Sequence, residues 1–334
     1  MKRLNVLRCG DQNYWAYYWV AQEHARYSRH NVRYAKWDEV NLNGIDVIYI
    51  HGPDISNYHA TGLPCEARKR GIKVIGGYSG NPEFWSPAER STYVCADLIV
   101  AISPQTYAFC KFHYKNIPVV FMPESIDTHF FTPRPYPRDS FIVGWAGGIH
   151  KPIKRAHLLK QLDFPVVTRS QWAEPRAAKD TVTLDKMVEF YHSIDVLVQT
   201  SLSECQPRVV MEAMACGLPV IATDVGSMRM LLTPNWIVPV SPDEDVVCGI
   251  NDKLHRLQYD TCIYGGIGRR NLEHIKLHWS WEQNVEIWDS MFSAIAEGPL
   301  TLSRSNELLE KATGLNLIFK QEYEKYYGTK YGKL

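Results

Sequence analysis

Short apolar runs rich in β-branched residues alternate with amphipathic stretches along most of this chain. Runs at Leu4–Cys9, Val32–Lys36, Asp46–Ile50, Lys73–Ile75, Asp97–Ile102 and Val119–Met122 read as strands, and several are apolar at consecutive positions, as parallel strands covered on both faces are. Helical periodicity fills the gaps at 15–29, 57–70 and 104–115, and the first two end near basic residues and turn formers. Prolines then cluster between Pro123 and Asp139, which suits an extended connection. A second series follows, with strands at Phe141–Ala146, Phe164–Thr168, Ile194–Thr200, Leu218–Ala222 and Trp236–Val238 and helices near 153–162, 184–192, 207–216 and 242–257. Strand and helix in regular alternation predict an α/β protein of two doubly wound, Rossmann-like domains, at 1–135 and 136–298. Residues 299–334 read as an added helical tail, with helices at 306–313 and 317–327.

Composition adjusts this picture only slightly. At 334 residues and 45% hydrophobic content the chain is long enough for two cores. A net charge of +1 without long charged runs gives no bulk attraction to nucleic acid or membrane. The eight cysteines form no C-x-x-C pair, and several fall inside predicted elements, so they read as reduced, structural thiols of a cytoplasmic protein. The opening Met-Lys-Arg-Leu-Asn-Val-Leu-Arg-Cys-Gly is too short in its apolar part for a secretory signal, and no apolar run is long enough to span a bilayer.

The chemistry concentrates in Ser203-Glu-Cys-Gln-Pro-Arg-Val-Val-Met-Glu-Ala-Met-Ala-Cys-Gly-Leu-Pro-Val-Ile-Ala-Thr-Asp-Val-Gly226. Asp195–Ser201 is a buried strand, so Glu204 follows its carboxyl end, where open parallel sheets bind ligands. Pro207 suits the first position of a helix, because its ring fixes φ and its missing N–H would have had no partner there. The amides and dipole of that helix favour an anion such as a diphosphate, and Glu212, about one turn in, can accept hydrogen bonds from a sugar diol. A nucleotide-sugar satisfies both.

This segment resembles the E-x7-E signature of retaining glycosyltransferases of the GT-B fold, in particular the large family four, with Cys205, Gln206, Ser227 and Met230 as departures that spare both glutamates. Cys95–Ser103, Pro123–Pro133 and Trp279-Ser-Trp281 are similar to further family segments, so the resemblance covers roughly 1–297. It implies two Rossmann-like domains facing across a cleft, with the helix after Trp281 crossing back toward the first. By position, Glu204 orients donor-sugar hydroxyls and Glu212 holds the ribose. The amides of Gln206, Arg208 and Val209 beside Pro207 are phosphate contacts. The family's cationic loop corresponds to Gly147–Arg155, where Gly148 stands in the arginine position, Lys154 best matches the lysine, and Lys151 or Arg155 replaces the missing cation.

On the acceptor side only Gly10, followed by Asp11, keeps the family's glycine turn, and Tyr78 stands where relatives often place a histidine. The expected catalytic set is therefore Glu204, Lys154 and Tyr78. His51 is an alternative cleft residue, although a lone histidine is more often structural. Trp15 and Trp19 share a helix face and read as core. No metal or other cofactor is expected. Asp243-Glu-Asp245 spells D-x-D but opens a helix, where acids act as caps and dipole partners. The reading is a metal-independent hexosyl transferase working on a nucleoside diphosphate sugar. Rivals are a nucleotide-sugar epimerase and a noncatalytic scaffold. The acceptor stays open between a glycan, a glycolipid met at a membrane surface by Gln105–Lys115 and the tail, and nucleic acid stacked on aromatics. Base, sugar and oligomeric state are not specified by the sequence.

Overall fold

The structure is a computed structural model and describes residues 2–10, 16–51, 62–78, 95–134, 141–170, 183–298 and 315–327. The chain divides into two compact units, Met1–Ser125 together with Trp281–Leu334, and Ile126–Ser280. A strand stands at each predicted position. The first unit holds β1 (Asn5–Gly10), β2 (Asn31–Lys36), β3 (Val47–His51), β4 (Lys73–Tyr78), β5 (Leu98–Ala101) and β6 (Val119–Phe121) in one sheet of order β2-β1-β3-β4-β5-β6. Every pairing is parallel. Helices α1 (Ala16–Tyr27), α2 (Leu63–Lys69) and α3 (Pro104–His113) connect the strands. Helix α3 starts at a reciprocal cap: the Ser103 hydroxyl accepts from the Thr106 N–H, the Thr106 hydroxyl accepts from the Ser103 N–H, and Pro104 follows where no N–H is needed.

One face of this sheet is an ordinary apolar core, with Leu7, Cys9, Ile48, Ile50, Val74 and Leu63 buried together. The opposite face carries a charge. Arg8, paired in register with Tyr49, is wholly buried. Its guanidinium lies 4.6 Å from the Tyr49 ring and 5.0 Å from the Trp288 ring. Its N–H groups reach His51 Nε2 at 3.0 Å, His24 Nδ1 at 2.9 Å and Glu124 Oε1. A buried cation is tolerable only when paired and hydrogen-bonded in this way.

Trp288 comes from α9 (Trp281–Glu297), the helix that follows the second unit. It is seated by Trp281 Nε1 donating to Glu23, Trp288 Nε1 to the Pro123 carbonyl, Asn284 to Ser125, and by Asp289, which accepts from Ser28 Oγ and the Arg29 N–H. The sequence boundaries of 135/136 and 298/299 therefore shift to Ser125/Ile126 and Ser280/Trp281, because the aromatic face of α9 belongs to the first core. The tail follows it. Helix α10 (Leu315–Tyr326) buries Phe319 and Tyr323 against Tyr107 and Phe121, with Phe121 and Phe319 stacked at 4.2 Å. The helix predicted at 306–313 lies outside the described residues.

The second unit holds β7 (Val143–Ala146), β8 (Val166–Arg169), β9 (Val196–Gln199), β10 (Val220–Thr223) and β11 (Ile237–Val238), in the order β11-β10-β9-β7-β8. These pairings are also parallel. Its helices are α4 (Leu184–Ser193), α5 (Arg208–Ala215), the single turn α6 (Met228–Leu231), α7 (Asp243–Tyr259) and α8 (Thr261–His278), the last of which the sequence pattern missed. Helix α5 stops at Gly217, at φ 73°, where the Gly217 N–H reaches the Met214 carbonyl and the Leu218 N–H reaches the Ala213 carbonyl. Where a helix was predicted at 153–162 there are two 3-10 segments, Pro152–Lys154 and Ala156–Gln161, separated by Arg155 at φ 49°. The carbonyls of Ile153 and Lys154 are taken by the Leu202 N–H at 2.8 Å and the Thr200 hydroxyl at 2.7 Å, so they cannot carry a helical ladder.

His24 and His51 are held well below the usual imidazole range by burial, and secondarily by Arg8. Depressed folded-state values mean that the unfolded chain takes up protons first, so this stability is complete above about pH 6.5 and is lost as pH falls below it. The urea midpoint should drop between pH 7.5 and pH 5, and drop less in His24→Gln, whose side-chain carbonyl can still accept from Arg8. An equal drop in both proteins would remove His24 from the account.

Candidate functional site

Strand β9 is completely buried, and the chain leaving it carries Glu204 into partial exposure. Its carboxylate Oε1 accepts from the Lys154 ammonium, from Gln199 Nε2 at 2.8 Å and from Ser201 Oγ at 2.8 Å. Glu204 and Lys154, predicted separately and 50 positions apart, thus meet as an ion pair, their side chains 12% and 24% exposed. Charge-assisted contacts of this kind, with part of the water removed, are stronger than surface pairs.

The start of α5 differs from expectation by one residue. Pro207, at φ −72° and ψ 110°, precedes the helix rather than opening it, and its carbonyl accepts from the Val210 N–H. Pro207, as the residue before the helix, contributes no side-chain cap to this end. Gln206 turns its side-chain amide onto the Met211 sulfur at 2.9 Å.

Glu212 is 3% exposed, and its own chain occupies both oxygens: Tyr191 OH donates to Oε2 at 2.6 Å and Arg208 Nε to Oε1 at 2.7 Å. The Tyr191 hydroxyl is raised well above the ordinary phenol value, first by burial and then by the Glu212 charge. The Arg208 guanidinium also lies 5.9 Å from the Phe131 ring. Sequence reasoning named Arg208 for its backbone amide alone and missed Tyr191, Gln199 and Thr200. Only Ser201, three residues before Glu204, carried a motif signal.

In the glycine turn, Gly147 and Gly148 lead out of β7, and the Gly147 N–H is held by the Arg169 carbonyl. Lys151 is exposed. Arg155 is not available as a replacement cation: it is 2% exposed and committed to Asp243 and the Ser241 carbonyl. That contact also explains Asp243 of the D-x-D triplet, whose carboxyl lies below the usual range because His157 and Arg155 hydrogen-bond to it. Among the described residues no group of three His, Cys, Asp or Glu side chains converges as a metal site.

The residues expected on the acceptor side belong to the first unit. Gly10 ends β1, where a Cβ would come within 2.9 Å of the Tyr34 hydroxyl. His51 is 1% exposed, stacked on Tyr17 at 4.6 Å and hydrogen-bonded to Arg8, so it is a buried network member and not an open cleft residue. Asp11 and the side chain of Tyr78 lie outside the described residues. Among the cysteines, Cys65, Cys248 and Cys262 are exposed, whereas Cys9, Cys110, Cys205 and Cys216 are buried. Among the described residues no helix is long and apolar enough to cross a membrane.

Residues 142–257 match the model of the family described as Glycosyl transferases group 1. This segment is thus similar to a group 1 glycosyl transferase domain. It contains Lys154, Glu204 and Glu212 together. Over 120 residues the chain is 34% identical to a GDP-mannose-dependent alpha-mannosyltransferase of Mycobacterium tuberculosis, an overlap of 36% of this chain and 29% of that one. Matches to the curated relatives span only 29% to 36% of their lengths. Among solved structures, a glycosyltransferase from Rickettsia africae superposes with a TM-score of 0.65 at 13% identity, covering 88% of this chain and 99% of that one. Anabaena Alr3699/HepE, solved with UDP and glucose, gives 0.64 at 14% identity, covering 88% and 100%. These likenesses establish the GT-B architecture of two parallel sheets flanked by helices.

In the second unit the Glu204 loop is held from below by Gly226 and Ser227. Gly226 sits at φ 57°, and a Cβ there would come within 2.2 Å of the Cys205 carbonyl oxygen, which accepts from both the Ser227 N–H and hydroxyl. Gly226→Ala should destabilise the protein by about 1–3 kcal/mol in urea unfolding, combining left-handed strain with a backbone clash. Stability equal to wild type would refute so close an approach.

Proposed function

We propose that the protein is a retaining glycosyltransferase that moves a hexose from a nucleoside diphosphate sugar to an acceptor hydroxyl without a metal ion. The Lys154–Glu204 pair, close in sequence to the N-terminus of α5 and inside the segment that matches group 1 glycosyl transferases, carries this reading. The helix amides and the Lys154 ammonium take the charge that develops on the departing diphosphate. Glu204 accepts from hydroxyls of the transferred sugar, and Glu212, whose oxygens each keep a lone pair beyond the one given to Tyr191 or Arg208, accepts from the ribose once the site opens to it. With the leaving diphosphate accepting the acceptor proton on the same face, no protein nucleophile is required. The relatives support a nucleotide-sugar donor: one is named for GDP-mannose and a structural neighbour is solved with UDP and glucose. A cytoplasmic location and a glycan or glycolipid acceptor agree with this reading.

A thermal-shift panel of UDP, GDP and ADP should show one nucleotide raising the melting temperature, since a ligand selective for the folded state stabilises it. The matching nucleotide-sugar should be consumed. Glu204→Gln and Lys154→Met should each slow that reaction by about 100-fold or more, and NMR of the product should show the donor's anomeric configuration. Absence of both nucleotide binding and nucleotide-sugar turnover would end this assignment.

A further inference from the structure

The residues leaving β9 divide their work by alternation. Gln199 and Ser201 both donate to Glu204 Oε1, whereas the Thr200 hydroxyl and the Leu202 N–H grip the backbone carbonyls of Lys154 and Ile153. Four consecutive residues thus hold the anion by its carboxylate and the cation by its main chain.

Gln199 is the fixed point of this arrangement. It is 3% exposed, and its amide is engaged on both sides: Nε2 donates to Ser201 Oγ at 2.7 Å and to Glu204 Oε1 at 2.8 Å, while Oε1 accepts from the Ser201 N–H at 3.3 Å and lies 3.3 Å from the Thr223 hydroxyl oxygen. An amide has two donor hydrogens and two acceptor lone pairs, and here both hydrogens and one lone pair have partners. Flipping it would set its oxygen against a carboxylate oxygen and its hydrogens against an N–H, so one orientation is enforced. Thr223 is itself anchored, donating to the Ser201 carbonyl at 2.6 Å.

The consequence falls on Glu204. Three donors, from Lys154, Gln199 and Ser201, converge on Oε1, and among the described residues none reaches Oε2. We propose that Gln199 is a positioning residue that locks the Glu204 carboxylate with Oε1 turned into the protein and Oε2 presented to the hydroxyls of the donor sugar. This rests on the transferase reading and adds to it the element that orients the key carboxylate. Because Gln199 is neutral, it fixes geometry without weakening the charge that Lys154 offsets.

The test uses the full chain, with UDP and GDP as binding probes and UDP-glucose and GDP-mannose as donors. Gln199→Leu removes the amide, and Gln199→Glu keeps its shape and its acceptor contacts but puts a second carboxylate against Glu204. Both should bind the preferred nucleoside diphosphate within about 3-fold of wild type and lose about 10- to 100-fold in kcat for donor consumption. The double variant Gln199→Leu with Glu204→Gln should be no slower than Glu204→Gln alone, because a residue acting through Glu204 has nothing left to position. Additive losses, or full activity in Gln199→Leu, would overturn the proposal while leaving the transferase assignment intact. Wild-type protein that neither binds nor turns over these nucleotides would overturn both. If the variants fail to fold, a crystal structure of wild type with the preferred nucleoside diphosphate decides: Gln199 must still contact Oε1 of Glu204, and its detachment would refute the role.

Discussion

An ion pair half withdrawn from water sets the terms for the second unit. Lys154 and Glu204 attract each other strongly only because the protein has removed part of their hydration, and the same removal makes each costly if left alone. The surrounding fold answers that cost. β9 ends in residues that hydrogen-bond to both partners, Gly226 comes close enough for Ser227 to hold the loop from below, and the turn carrying Lys154 gives up helical geometry to present its carbonyls to Thr200 and Leu202. Arg155 forms the anchor of that turn. Its contact with Asp243 joins the turn to the start of α7, so the neighbouring Lys154 is carried on a turn that a second ion pair holds.

The first unit solves a similar problem for a different purpose. Arg8, on β1, has no exposure, and its three hydrogen-bond partners and two flanking rings are drawn from α1, β3, the segment after β6, and α9. A charge in such a position penalises every packing in which one of these elements is misplaced. Polar satisfaction therefore specifies the arrangement at a point where an apolar side chain would merely fill space. His51, a candidate for ligand contact on sequence grounds, is absorbed by this network.

The strand pattern was legible because buried parallel strands are written as compact β-branched runs, and the site was legible because proline, glycine and glutamate spacing is dense around 203–226. What escaped notice had specific causes. Helix α8 carries Gly265, Gly266 and Gly268, which weaken helical propensity, and Gly268 is required by the approach of the Gly217 carbonyl, a contact no local pattern reveals. The 153–162 stretch has helical periodicity, but its carbonyls are claimed by residues almost fifty positions away. Gln199 reads as one polar residue in an apolar strand, and Arg208 as a solvated charge. Their partners lie near in space and are set by tertiary structure. The domain boundary moved for a similar reason, since the aromatic residues of 281–297 look the same whichever core they enter.

That helix changes how the polypeptide must mature. Because Trp288 closes over Arg8 only after the whole second unit has been made, a ribosome-bound chain emerges with its first sheet lacking one wall and a guanidinium awaiting its cover. The inserted unit, contiguous from 126 to 280, has no such dependence and is free to acquire its structure during synthesis. Order of assembly is thus inverted relative to order of translation: the earliest residues are the last to be completed.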